Sequence, residues 1–394
     1  MTPLSKINIS EKQAVKIAFD HFNILGKANP LPGEIDFNFR IKVEDGEGYI
    51  LKISRPDEDD GYLDFQQKLL QHVEREAQDL ISPRVIKDKK GNSIASFIDE
   101  EGNNRMVRLL TWVSGRIWSG VNPQLNELRY SLGEQCGRLT KALQGFEHPQ
   151  AERDFDWDVA QSLWTKNHLE LFVQKEKEII VSFQNEFEKA QNAYSKLRKA
   201  VVHNDANDNN VIVSEELINP KVKAAIDYGD AVHTQIINDL AIACAYAVMG
   251  HNDPLEATLP IVKGYHTTFS LQEIELEHLY NAIAMRLVIS VTKSAINKRK
   301  EPDNEYLLIS EKPAWEVLEK WFVIDGDFAH YQFRNACDFT PHPKENEFVS
   351  WVDKKNFKVT DLFPTVNREQ IHLLDLSVSS KWLGHQKEFD DLDL

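Results

Sequence analysis

Near residue 111 the hydrophobic period of the chain changes, and that change limits the possible folds more than any other feature. Before it, short β-rich runs alternate with turns. Phe37 to Val43 and Tyr49 to Ile53 flank the turn Glu44 to Gly48. Arg84 to Ile86 and Ile94 to Ile98 flank Asp88 to Asn92 and read as a second hairpin, and Met106 to Leu110 reads as a fifth strand. Two helices are interleaved with these strands. One opens at Ser10, where Gln13 completes a capping box and Ala14, Ile17, Ala18 and Phe22 share a face. The other covers residues 62–79, with Leu63, Leu69, Leu70 and Val73 as its stripe. Beyond the break, residues 124–144 and 159–198 are poor in glycine and helical in period. Short β-rich segments come next at 201–213 and 222–228, and helical patterns return at 236–296 and 313–322. This order describes an α+β chain of two lobes with a cleft between them. The N-terminal lobe, residues 1–110, is antiparallel and β-rich, and residues 111–116 are a linker. Residues 117–325 form a larger helical lobe, and residues 326–394 form an extension whose role is open.

Several function classes are excluded by composition. A net charge of −16 argues against nucleic acid as a partner, because neutralising phosphates takes clustered Lys and Arg. A nucleotide substrate is compatible with it, since one Lys, a metal and backbone N–H groups can hold a triphosphate locally. The three cysteines, Cys136, Cys244 and Cys337, are widely spaced and lack metal-binding spacing, which points to a reducing, cytoplasmic setting. The N-terminus lacks the apolar core of a signal peptide, and no apolar run is long enough to span a membrane. Oligomeric state is left open.

The sharpest signal runs from Val201 to Val213: a strand enters, a polar loop carries His203, Asn204, Asp205, Asn207, Asp208, Asn209 and Asn210, and a strand leaves. Downstream, Ala224-Ala225-Ile226-Asp227-Tyr228-Gly229-Asp230 is a strand ending in an acid followed by glycine. Phosphoryl transfer to an alcohol needs a group to receive the hydroxyl proton and oxygen ligands for Mg²⁺ on the phosphates. His-x-Asp-x-x-x-x-Asn with a later Asp-x-Gly supplies both. Asp205 is then the base, Asn210 and Asp227 are the metal ligands, and His203 holds the loop. Hard oxygen donors suit Mg²⁺, which keeps waters and phosphate oxygens in the rest of its shell. Asn and Asp also crowd into ordinary turns, so the motif gains weight from a strand lysine upstream. That lysine is Lys52, in Tyr49-Ile50-Leu51-Lys52-Ile53; by itself it could equally sit on a solvated sheet face.

These stretches, together with Leu31 to Phe39, Gly145 to Pro149, Arg153 to Asp158 and Asn238-Asp239-Leu240-Ala241, resemble the aminoglycoside phosphotransferase and choline kinase superfamily. Within it the chain is most similar to hydroxylysine kinases and to the kinase-like domains fused to class III aminotransferases. Pro302 to Leu307 and Pro313-Ala314-Trp315 add to that resemblance. Phe333 to Cys337 and Asp375-Leu376-Ser377 resemble the segment after the kinase-like domain in the fused proteins. The resemblance implies a protein-kinase-like fold, ATP or GTP as donor, Lys52 on the donor phosphates, Asp205 as base, and Asn210 and Asp227 on metal. The acceptor it implies is a small amino alcohol or hydroxy amino acid, 5-hydroxylysine first. Choline, ethanolamine, homoserine or an aminoglycoside are alternatives, as is a catalytically silent nucleotide-binding module. In two respects the chain departs from the kinase pattern. No Gly-x-Gly-x-x-Gly loop is present, Gly33 to Phe39 standing in its place. The acidic partner expected for Lys52 on the following helix could be Asp64, Gln66, Glu74 or Glu76.

For the acceptor, Asp230 and His233 follow the metal-binding acid, and Arg286 could take a carboxylate through two nitrogens, although a surface ion pair is the more common use of such an arginine. Asp156 and Asp158 flank Trp157, and Asp158 could simply be an N-cap. Trp112, Trp118, Trp164, Trp315 and Trp321 read as packing residues, and Trp157 is assigned to the substrate side. Asp239 is expected to tie down the catalytic loop.

Overall fold

The computed structural model describes residues 9–33, 36–56, 58–300, 311–347 and 350. The stretches 302–307 and 375–377, quoted above for their resemblance, lie outside the described residues. The chain opens with α1 (Glu11–Phe22), capped by Ser10 and Gln13 as the sequence requires. The strands β1 (Lys27–Leu31), β2 (Phe37–Lys42) and β3 (Tyr49–Ile53) then form an antiparallel meander. β1 is absent from the sequence reading because Pro30 breaks its pattern. Pro30 is tolerated because β1 is an edge strand. The helix α2 (Asp60–Glu76) begins earlier than expected, at the side-chain cap of Asp59.

Next come β4 (Val85–Ile86), β5 (Ala95–Ile98) and β6 (Asn104–Thr111). The expected hairpin between the first two does not form. Both pair with the long β6, β4 at Leu109 and Leu110 and β5 at Asn104 to Val107, so they lie end to end along one edge. An eight-residue strand offers ladder positions for two short ones, which a local reading of turns cannot anticipate. Phe39, Ile41, Leu51, Ile53, Val107 and Leu109 bury one sheet face against Ala14, Ile17 and Phe22 of α1.

The chain crosses to the helical lobe at Gly115, whose φ is +148° and whose absent side chain would lie 2.4 Å from the Val213 carbonyl. Only glycine fits there. The crossing residues are stitched down directly, because β7 (Arg116–Ile117) pairs with β9 (Val211–Val213), which pairs with β10 (Val222–Ala225). A separate ribbon joins β8 (Lys199–Val202) to β11 (Val232–Gln235). Around these ribbons lie α3 (Asn126–Ala142), α4 (Gln174–Tyr194), α5 (Ile237–Ala247), α6 (Pro254–Thr268), α7 (Glu273–Lys300), α8 (Glu311–Phe322) and α9 (Gly326–Ala336). Residues 159–171, expected as the start of a long helix, form 3₁₀ turns with a break at His168. The helices α3 and α6 pack almost backbone to backbone. A Cβ on Gly133 would sit 1.9 Å from the Ile261 carbonyl, and one on Gly264 2.1 Å from that of Tyr130. Every residue of α5 is buried, and α7 runs behind it through the same core. A third cluster joins the lobes: Phe65, Leu69 and Leu70 of α2 meet Leu139, Leu143, Val201 and Tyr228. The sheet lobe and helical lobe thus meet at the ribbons that carry the polar loop.

Candidate active site

The loop 203–210 leaves β8 and enters β9, and its first turn is fixed by two buried side chains. His203 is fully buried. Its Nδ1 accepts the Asp205 amide at 3.2 Å, so Nε2 carries the proton and donates to the Ile226 carbonyl at 3.1 Å. Burial pulls its pKa down to about 4, against the opposing pull of Asp227, so it is a neutral strut. Asp239, in the first turn of α5, accepts the Asn204 amide at 2.9 Å and the Thr140 hydroxyl at 3.4 Å. Burial pushes its carboxyl up to about 6. Both side chains thus hydrogen-bond to the backbone of the loop.

Between these struts Asn204 adopts φ +62°, and Asp227 adopts the same left-handed φ just beyond β10. Asn and Asp tolerate that region better than other side chains. The Ile226 amide donates to the Asn210 carbonyl at 2.8 Å, which ties the backbone of Asn210 to the residue just before Asp227.

The Asp205 carboxylate is held by three donors. Oδ1 accepts from Asn207 Nδ2 and from Arg286 Nη2, each at 3.0 Å, and Oδ2 accepts from Asn210 Nδ2 at 2.5 Å. Burial, then the neighbouring Asp230, push its pKa well above the usual carboxylate range, while Arg286 pulls it down. Its side chain nevertheless keeps 17% exposure, enough for a small substrate to reach it. The Asn210 amide nitrogen also donates to the Asp205 carbonyl, so its amide oxygen, which has no donor among the described residues, is the atom left for a ligand.

Lys52 Nζ lies 2.9 Å from Asp227 Oδ1 and bridges the two lobes. The lysine, together with burial and His203, sets Asp227: the Lys52 charge is the largest influence and holds the carboxyl below its ordinary range. By surface exposure the Asp227 side chain is half open to solvent, so this bridge is more easily opened by a ligand than a buried pair. No residue of α2 pairs with Lys52 among the described residues. Asp64 binds Lys68 and His148, Glu76 binds Arg75, and Gln66 accepts from Arg108, which also pairs with Asp36. The cross-strand neighbours of Lys52 are Asn38 and Arg108, so a second cation flanks it in the sheet. The turn between β1 and β2 carries the single Gly33 and no glycine-rich loop.

The remaining assignments divide. Asp158 is the N-cap of residues 159–171, accepting from the Ala160 amide at 3.0 Å. Asp230 is close enough to raise Asp205, whereas His233 faces Glu152 at 3.4 Å. Trp157 is partly buried, with the Arg286 guanidinium 4.7 Å from its ring. Arg286 overturns the expectation of a surface ion pair: it is 1% exposed, and its two terminal nitrogens bind Asp205 and, at 2.7 Å, the Trp157 carbonyl. A single cation inside an apolar helical stretch carries no local sign that an acid 81 positions away will reach it. Sequence reading also passed over Arg153, whose guanidinium lies against the rings of Tyr62 and Phe155 and donates to the Gly229 and Ala231 carbonyls on either side of Asp230.

A lysine–aspartate bridge, a three-point-held carboxylate and an adjacent carboxamide oxygen can orient a phosphate donor, a hard metal ion and an acceptor hydroxyl. Residues 27–274 match the family described as the phosphotransferase enzyme family. Hydroxylysine kinase of Mus musculus is 25% identical over 339 residues, 79% of this chain and 89% of that protein. Hydroxylysine kinase of Xenopus laevis is 26% identical over 345 residues, 80% of this chain and 90% of that protein. An amicoumacin kinase in complex with AMP-PNP, Ca²⁺ and Ami superposes with a TM-score of 0.61 at 16% identity, covering 80% of this chain and 96% of its own. A microcompartment-associated aminopropanol kinase superposes with a TM-score of 0.57 at 16% identity, over 82% and 97%. At such identities the structural likeness establishes the fold.

Proposed function

We propose that this chain, which belongs to the phosphotransferase enzyme family, transfers the γ-phosphoryl group of ATP or GTP to the hydroxyl of 5-hydroxylysine. The observation that carries this reading is the match to hydroxylysine kinases along most of both chains, at 79% and 89% for the mouse protein. In the proposed mechanism Asp205 accepts the hydroxyl proton, and its three donors keep the carboxylate aimed. Lys52 turns from Asp227 to the donor phosphates as nucleotide enters. Asn210 Oδ1 and the Asp227 carboxylate would hold Mg²⁺, which when bound would neutralise charge on the phosphates. Two protein ligands of hard oxygen fit that ion, which takes its other ligands from phosphate and water. His203 and Asp239 fix the loop, so catalysis is chiefly orientation and electrostatics.

The acids Asp205 and Asp230 suit the ammonium groups of a basic amino acid. Arg153, which has no carboxylate partner among the described residues, is the cation assigned to the acceptor's own carboxylate. The rings of Trp157 and Tyr246 already face Arg286, at 4.7 Å and 5.4 Å, which disfavours them as a cage for choline. The three cysteines are buried and unpaired, in keeping with the reducing cytoplasm proposed as its location, and among the described residues no helix is long and apolar enough to cross a membrane.

The test is nucleotide consumption with Mg²⁺, using ATP and GTP separately, against hydroxylysine, ethanolamine, choline, homoserine and kanamycin, with phosphorylated product identified by mass. Turnover confined to hydroxylysine supports the reading. Turnover with another acceptor alone replaces it, and nucleotide binding without turnover favours the silent module.

A further inference from the structure

Arg286 is a fully buried guanidinium in the middle of α7, and burial of that kind is seldom repaid in stability. Removing a strong cation from water costs several kcal/mol, and a well-packed apolar side chain of similar size is often as good or better. Its Nε has no hydrogen-bond partner among the described residues, so the site is not optimised for stability alone. What the residue does achieve is a connection. Nη1 grips the Trp157 carbonyl at 2.7 Å and Nη2 grips Asp205 Oδ1 at 3.0 Å. One rigid fork therefore ties the strap 153–158 to the polar loop through a helix that belongs to neither.

We propose that Arg286 is a positioning residue for phosphoryl transfer: it fixes the plane of the Asp205 carboxylate against the acceptor hydroxyl, with the Trp157 carbonyl fixing Arg286 in turn. The proposal rests on Asp205 being the base. Asn207 and Asn210 sit on the same loop as Asp205 and move with it, whereas Arg286 refers the carboxylate to the helical core. The same helix holds the strap at a second point, Lys293, whose Nζ is 2.5 Å from Asp156 and 4.9 Å from the centre of the Trp164 ring. Lys293 anchors the strap through Asp156 rather than through Asp205, which makes it a control.

The experiment is steady-state kinetics on full-length Arg286→Met, Arg286→Lys, Arg286→Ala and Lys293→Met, with melting curves for each. Arg286→Met is expected to lose about a hundredfold in kcat, the scale of a misplacement of about an ångström, with nucleotide KM within about threefold of wild type. Arg286→Lys should recover part of the rate, and guanidinium at millimolar concentration should restore activity to Arg286→Ala. Lys293→Met should stay within about threefold of the wild-type rate. If Arg286→Met fails to fold, the lysine variant and the guanidinium rescue carry the test. Wild-type kcat in Arg286→Lys and Arg286→Met, no rescue of a folded Arg286→Ala, or an equal loss in Lys293→Met would each overturn the proposal. Asp205→Ala separates the two levels: activity retained there sinks the base assignment itself, whereas an inactive Asp205→Ala beside a fully active Arg286→Met sinks the Arg286 inference alone.

Discussion

Asp239→Asn should stabilise the protein at neutral pH while slowing it. Asp239 is 1% exposed, and burial raises its carboxyl to about 6 from an ordinary value of 3.8. In the folded chain it therefore binds a proton more tightly than in the unfolded chain. Stability contributed at low pH is lost as pH rises from about 4 to about 6. A pKa higher by about two in the folded chain corresponds to roughly 3 kcal/mol of cost once both states are ionised. Asparagine carries no such cost and can still accept the Asn204 amide through Oδ1. His203 works in the opposite sense. Its pKa falls from 6.5 to about 4, so its contribution grows as pH rises through nearly the same window, and the wild-type curve hides both. Urea unfolding of Asp239→Asn and wild type at steps from pH 4 to 8 isolates the carboxylate. The difference in unfolding free energy should climb by roughly 3 kcal/mol in favour of the variant between pH 4 and 6, then level off. At pH 7 the neutral amide should hold the Asn204 turn less firmly, and kcat should fall about tenfold. A difference that stays flat across that window would refute the reasoning, because the burial cost would then not exist.

Other expectations are read in the same way. Lys52→Met should raise the nucleotide KM or abolish turnover, with a loss of about a hundredfold or more in kcat/KM; unchanged kinetics would remove Lys52 from the donor site. Gly115→Ala should destabilise by roughly 2–4 kcal/mol in urea melts, since a Cβ would press on the Val213 carbonyl at an unfavourable φ, and an unchanged midpoint would show that the crossing can shift. Arg153→Met should raise the KM for hydroxylysine about tenfold or more with little change in nucleotide KM; parallel changes in both would reassign Arg153 to structure.

How much of the fold and site was legible in the sequence depends on how local each signal is. The capping box at Ser10 and Gln13 and the cap at Asp158 formed as written, because a cap depends on neighbours within one turn. The polar loop 203–210 and the strand leading to Asp227 were equally readable as elements, since β-rich runs around a polar turn are a local pattern. What could not be read lies in pairings between distant segments. Both β4 and β5 chose β6 over each other. Gln66 and Asp36 went to Arg108, which left Lys52 to Asp227 across 175 positions of chain. Arg286 reached Asp205 from 81 positions away, as the one cation in an apolar stretch of α7 that gives no local sign of its partner. In each case the partner is set by packing of the lobes, which no local pattern encodes.

The central claim, that Asp205 is the base of a hydroxylysine phosphotransferase, is tested most directly by Asp205→Ala. Transfer of labelled phosphate from ATP or GTP to hydroxylysine would be measured beside nucleotide binding by the same preparation. The account predicts a fall of at least about a hundredfold in transfer, the usual scale of lost general-base catalysis, with nucleotide affinity close to wild type. Transfer by Asp205→Ala at the wild-type rate would contradict it.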